Sequence, residues 1–179
     1  MRTTPLAALA ALAALSGCGM MPGSMPGAAR GPAAVATLAP AAGQSAAGSV
    51  RFEQHGDHVM VVARVTGLRP GQEHGFHVHE KGDCSSADFM SAGGHYNPGG
   101  KPHGHPKGGD RHAGDLPNLR ADASGTAEAR FEAHGLSVGS GAADVVGRAV
   151  VVHANPDDYA SQPAGNSGGR IACAVIARG

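Results

Sequence analysis

Apolar and polar residues alternate with period two along much of the chain beyond residue 48. In SVRFEQH (49–55) Val50 and Phe52 oppose Arg51 and Glu53, and in TAEARFEAH (126–134) Ala127, Ala129, Phe131 and Ala133 oppose Thr126, Glu128, Arg130 and Glu132. Successive strand side chains point to opposite faces, so each stretch predicts a half-buried β-strand. HVMVVARVTGL (58–68) follows the first of them across Gly56-Asp57, a hairpin signal. RAVVVH (148–153) and RIACAVI (170–176) add two short apolar runs. FHVH (76–79) is a further strand pattern of an unusual kind, with Phe76 and Val78 on one face and His77 and His79 on the other. No long helical period competes, and short strands with Gly-rich turns predict an all-β sandwich or barrel.

Two stretches break the pattern. Residues 81–117 and 154–169 are rich in Gly, Pro, His and Asp and carry no strand periodicity. Loops of such length are functional or disordered. The first holds His95, His103, His105, His112 and Asp115, with Cys84 near its start, so metal and disulfide anchors could replace missing backbone pairing.

Composition narrows the classes. At 179 residues and 41% hydrophobic content the chain suits one globular domain. Fourteen basic residues balance fourteen acidic ones with no basic run, which argues against nucleic acid and against a polybasic membrane patch. With 29 glycines, no Trp and 3% aromatics, the core must be mainly aliphatic and the turns many.

The N-terminus speaks to compartment. Arg2 precedes PLAALAALAAL (5–15), an apolar run too short to span a bilayer as a mature helix, and residues 1–17 are expected to be a secretory signal. The run ends in LSGC (15–18), which resembles the lipobox of bacterial lipoproteins and implies lipidation of Cys18 with cleavage before it. Residues 18–32 then read as a flexible tether, and 33–179 as the folded domain. The expected setting is a membrane-anchored lipoprotein of the bacterial cell envelope, facing the periplasm. The chain has three cysteines, and an odd count in an exported protein asks for an explanation of the leftover thiol. Lipidation of Cys18 supplies one, which leaves Cys84 and Cys173 free to pair, against the alternative of two separate buried thiols.

Of eleven histidines, seven fall between His74 and His112, and His153 ends VVVH. Imidazoles with a nearby carboxylate suit copper and zinc. On composition alone a built site, a loosely metal-buffering loop and solvated histidines remain comparable. The ordered motifs EHGFHVHE, GGHYNPGGKPHGHP, RHAGDLPN, VVHANPDD and GNSGGRIACAVI together resemble copper/zinc superoxide dismutase of the bacterial exported type, from about residue 33 to the C-terminus.

The resemblance implies an eight-stranded antiparallel Greek-key barrel with two long functional loops. It implies copper ligands His77, His79, His95 and His153, and zinc ligands His95, His103, His112 and Asp115, with His95 shared between the metals. Asp157 matches an outer carboxylate that accepts hydrogen bonds from His77 and His103. Arg170 matches an arginine beside the copper, and Cys84 with Cys173 the family's disulfide. His105 is the rival zinc ligand, and Asp158 the residue confusable with Asp157. His55, His58 and His134 are expected to be solvated at strand ends, and His74 to lie just before the copper strand. The activity implied is disproportionation of superoxide, with copper alternating in oxidation state while zinc keeps its charge. A metal store on the same barrel, or an envelope-structure lipoprotein, would lack turnover. The sequence leaves a homodimer open against a monomer.

Overall fold

The structure, a computed structural model, describes residue 1 and residues 31–179. The signal, the lipobox and Cys18 therefore lie outside the described residues. Those described form ten strands: β1 (Ala33–Pro40), β2 (Ala47–His55), β3 (His58–Thr66), β4 (Glu73–His74), β5 (Phe76–His79), β6 (Leu119–Arg120), β7 (Ala127–His134), β8 (Ala149–His153), β9 (Arg170–Val175) and β10 (Ala177–Arg178). The one helical element among them is a single 3₁₀ turn, Met90–Ala92. No helix of the described residues is long and apolar enough to cross a membrane.

The main sheet is eight-stranded and antiparallel, in the order β5-β8-β9-β1-β2-β3-β7, with β10 beside β1. The chain crosses from β3 to β5 at the far end of this path, returns to β7 beside β3, and crosses again to β8 between β5 and β9. These crossings between distant neighbours give the expected all-β Greek-key barrel. β1 belongs to both halves. Residues Ala33 to Leu38 pair with β2, while Ala39 and Pro40 pair with Cys173 and Ala172 of β9. Its Ala-rich sequence has too little polar contrast to announce a strand.

The expected hairpin is present. His55 pairs with His58 across Gly56-Asp57, and Gly56 takes a φ of 57°, a conformation glycine adopts without a Cβ penalty. The inward faces of β2 and β3 put Val50, Phe52, Val59, Val61, Ala63 and Val65 into one core with Phe76, Val78, Val150 and Val152. β8 has no exposed residue. Val150 and Val152 face that core, whereas Ala149 and Val151 join a second cluster with Phe89, Ala92 and Cys173 under the first long loop. A strand covered on both faces reads as an unbroken apolar run, which is why RAVVVH does not alternate. β5 is likewise buried throughout, with Phe76 and Val78 in the core and the two histidines on the opposite face.

Both long loops lie where expected. Between β5 and β6 the only regular element is the 3₁₀ turn, and between β8 and β9 there is none. The disulfide Cys84–Cys173, with Cα atoms 5.9 Å apart, ties the first loop to β9.

Candidate metal centre

β5 and β8 are adjacent antiparallel strands in which His77 pairs with Val151 and His79 with Ala149. His153 ends β8 at a register shift. Period two places His77 and His79 on one face, and the two loops fold over that face. As a result His77, His79, His95, His103, His112, Asp115, His153 and Asp157 are all buried.

These residues fall into two groups whose ligating atoms lie within 4.8 Å of one another: His77, His79, His95 and His153, and His95, His103, His112 and Asp115. His95 is in both. Its Nδ1 lies 2.8 Å from Asp115 Oδ1 and 3.4 Å from His112 Nδ1, while its Nε2 has no partner.

In four of the rings one nitrogen is held by an outer partner and the other is presented. His77 Nε2 donates to Asp157 Oδ2 at 2.8 Å and His103 Nε2 donates to Asp157 Oδ1 at 3.0 Å, so one carboxylate orients a ring of each group. His79 Nδ1 donates to the Gly93 carbonyl at 2.9 Å, and His153 Nδ1 faces the Gly168 carbonyl and Ser167 Oγ, each at 3.2 Å. The free sides converge: His79 Nε2 and His153 Nε2 are 3.4 Å apart. Two nitrogens about 2.0–2.1 Å from one tetrahedral ion stand about 3.3–3.4 Å apart, so an ion could fit between these two.

The donor set fits copper and zinc on a further observation. His77 Nδ1, His95 Nε2 and His103 Nδ1 are buried polar atoms without a hydrogen-bond partner, and His103 Nδ1 lies 3.0 Å from Asp115 Oδ1 without hydrogen-bond geometry. Unpaired buried nitrogens cost free energy unless an ion satisfies them. Asp115 Oδ2 meanwhile accepts from the backbone N–H groups of His112 and Gly104, which fixes the carboxylate.

Electrostatics prepare the same atoms. Burial pushes His77 down to about 4, and burial with neighbouring rings pushes His79 and His153 well below the ordinary histidine value, so these rings are neutral with lone pairs available. Burial opposes the charge of Asp115, but the adjoining His103 and His95 rings outweigh it and hold the carboxyl far below its usual range. His103 moves the other way: burial disfavours its charge, yet Asp115 and Asp157 carry it up to about 9.

A cleft of about 980 Å³ opens over the first group, lined by His79, His95, His153 and Arg170 among others. Arg170 reaches it from the start of β9, its guanidinium held by the carbonyls of Phe89 and Gly93, each at 2.6 Å. Its charge thus faces the cleft beside the imidazoles.

The alternatives considered from sequence lie apart. His105 is exposed, with its ring against Tyr159, outside both groups. Asp158 points away, capping the loop through the N–H groups of Ala160 and Ser161. Sequence reasoning missed three contributors. His74, expected only to precede the strand, is buried and donates from Nδ1 to the His153 carbonyl at 2.8 Å. Gln162 clamps His103 through its backbone N–H and carbonyl at 2.9 and 2.8 Å. Gly165 has a φ of 63°, and a Cβ there would fall 1.7 Å from Asp157 Oδ1. Its place in the AGNSGG run was the only available signal.

The family model for copper/zinc superoxide dismutase (SODC) matches residues 46–176. A solved structure of a double mutant of a SOD-like protein from Bacillus subtilis is 38% identical with a TM-score of 0.71, covering 78% of this chain and 94% of that one. The chain belongs to the copper/zinc superoxide dismutase family. Its activity is that of an oxidoreductase acting on superoxide, and its cofactors are copper and zinc.

Proposed function

We propose that copper is held by His77, His79, His95 and His153, that zinc is held by His95, His103, His112 and Asp115, and that His95 joins them through its two ring nitrogens. The observation that carries this reading is the membership of His95 in both ligand groups, with Nδ1 toward Asp115 and Nε2 unpaired. The set of three histidines and one aspartate completes a closed tetrahedron, the form of a structural zinc site. The set of four nitrogens borders the cleft and leaves room for a small ligand.

Copper supplies a one-electron couple and zinc a fixed charge. The chain supplies the rest. Arg170 attracts the superoxide anion into the cleft and hydrogen-bonds it with the N–H groups not engaged by Phe89 and Gly93. His95 Nε2, the unpaired nitrogen of that ring, is the atom that would carry a proton to substrate whenever it is not bound to copper. Asp157 keeps the His77 and His103 rings from turning, which preserves both sets at once.

The place of action is the bacterial cell envelope, with the chain anchored by lipid on Cys18 and shielding that compartment from superoxide. The 5–15 apolar run, LSGC and the pairing of Cys84 with Cys173, which leaves Cys18 as the odd cysteine, support it. Metal analysis combined with a superoxide assay tests the chemistry: one copper and one zinc per chain are expected, and a chain that binds both without turnover would be a metal store instead. Mass spectrometry of membrane-extracted protein tests the anchor, which an unmodified Cys18 would rule out.

A further inference from the structure

Three of the remaining histidines form a row. The outer face of β2-β3-β7 carries His55, His58 and His134 as direct cross-strand partners: His55 pairs with His58, and His58 with His134. The next outward row on the same strands is Glu53, Met60 and Glu132, again in direct register. Side chains of directly opposed residues on one face stand roughly 5 Å apart at Cβ, so six potential metal-binding groups occupy two adjacent rows. The opposite face of these strands is the hydrophobic core, which separates this patch from the catalytic histidines on the loop-covered face of β5 and β8.

The rings are close neighbours, although their ligating atoms do not converge within 4.8 Å as those of the two catalytic sets do. Ring centroids are 5.6 Å apart for His58 and His134 and 5.9 Å for His55 and His58. Inside the catalytic centre the corresponding separations are 5.6 Å for His79 with His153 and 5.5 Å for His103 with His112. The Nε2 atoms of the surface row point toward the carboxylates of the second row. Glu132 spans two rings, with Oε1 3.9 Å from His58 Nε2 and Oε2 3.8 Å from His134 Nε2. Glu53, engaged by Arg51 through Oε1, turns Oε2 toward His55 Nε2 at 3.5 Å. Asp57 sits behind His58, accepting from its Nδ1 at 3.2 Å, so that Nε2 keeps its lone pair for a metal. A carboxylate behind a histidine is the usual support of a ligating imidazole.

We propose that this patch is a third metal site, taking one divalent copper ion, or more weakly zinc, through His58 Nε2, His134 Nε2 and Glu132, with His55 as the fourth ligand. Imidazole and carboxylate suit both ions, and the Irving–Williams order favours copper. Exposure serves the proposal, since the His55 and His134 side chains are 47% and 63% exposed and free to rotate toward a shared ion. The bland alternative is a row of solvated cross-strand His–Glu pairs. The site does not rest on the dismutase reading.

The test uses the full chain already loaded with one copper and one zinc. Added Cu(II), followed by equilibrium dialysis and metal analysis, should raise the bound metal by one equivalent per chain. His58→Asn and Glu132→Gln should each weaken that third equivalent by at least about tenfold, the loss seen even when only an outer partner of a metal ligand is removed. Glu132 is exposed and His58 half-buried, and circular dichroism verifies that the variants fold. No third equivalent in the wild-type protein, or one retained at full affinity in the His58→Asn/His134→Asn double variant, overturns the proposal.

Discussion

Arg170 and His79 share one acceptor, the Gly93 carbonyl, which takes the arginine Nη2 at 2.6 Å and the histidine Nδ1 at 2.9 Å. The guanidinium that lines the cleft and an imidazole of the first histidine group are therefore positioned by the same peptide. That peptide lies in the loop that the disulfide ties to β9, and the second anchor of Arg170, the Phe89 carbonyl, lies in it too.

Cys84→Ser should act on stability and on rate together. The disulfide spans 89 residues, for which the chain-entropy model gives about 4–5 kcal/mol. Denaturant unfolding is expected to lose stability of that order. The superoxide rate should fall even under native conditions, because both carbonyls that fix Arg170 are released. A variant destabilised yet fully active would show that the loop holds Arg170 without the bridge.

Arg170→Gln should retain both metals and lower the second-order rate by about tenfold or more, in line with about 1.5–3 kcal/mol for a hydrogen bond to a charged group. Attraction between guanidinium and anion is screened by salt, so the wild-type rate should decline with ionic strength and the variant's decline less. Arg170→Lys should lie between, keeping charge but losing the planar fork. Stopped-flow rates over a salt series decide it, and an unchanged rate and slope in metal-replete Arg170→Gln would assign the residue a purely structural role.

His103 and His105 separate the zinc assignment from its rival. Metal analysis of His103→Ala should find zinc lost and copper largely kept. His105→Ala should keep both, since that ring stands outside the ligand groups against Tyr159. The reverse pattern would reassign the site.

Asp158 gives a pH dependence. Its carboxylate accepts from the backbone N–H groups of Ala160 and Ser161, from Ser161 Oγ and from Asn166, and the Ser161 N–H contributes most to holding it down to about 2. The ordinary value is about 3.9. A depressed folded value stabilises above the ordinary one and loses that contribution as pH falls through the folded one. Asp158→Asn should thus lower the unfolding temperature at pH 7, and the gap to wild type should narrow below about pH 4 and close near pH 2. A gap constant over that range would mean that the loop needs the shape of the side chain and not its charge.

Much of this was readable in advance, for identifiable reasons. Alternation reports faces, so SVRFEQH, TAEARFEAH and the split between Phe76/Val78 and His77/His79 appear in the fold as the sequence reads. Alternation does not report partners. Nothing in AAVATLAP indicates that β1 leaves β2 for β9 after Leu38, and the two-residue strands β4 and β6 are too short to carry a period. Depth is likewise set by what folds over a residue. His74 is sealed by its bond to the His153 carbonyl, and Phe131, in phase for the core, is only half-buried near the sheet's end. The ligand types were legible as a cluster. The Gly165 cradle under Asp157 was not, because it depends on an approach between residues that only the folded loop creates.

The histidines His77, His79 and His153 ride on paired strands, β8 being sealed on both faces, whereas His95, His103, His112 and Asp115 all belong to the loop between β5 and β6. The two halves of the centre therefore differ in mechanical kind. One is held by paired strands of the main sheet; the other is a loop with little regular pairing of its own, the kind of segment that opens locally at lower cost. Since His95 belongs to both groups, any loosening of the loop would, under the proposed metal assignment, reach the strand-borne half as the loss of one ligand out of four.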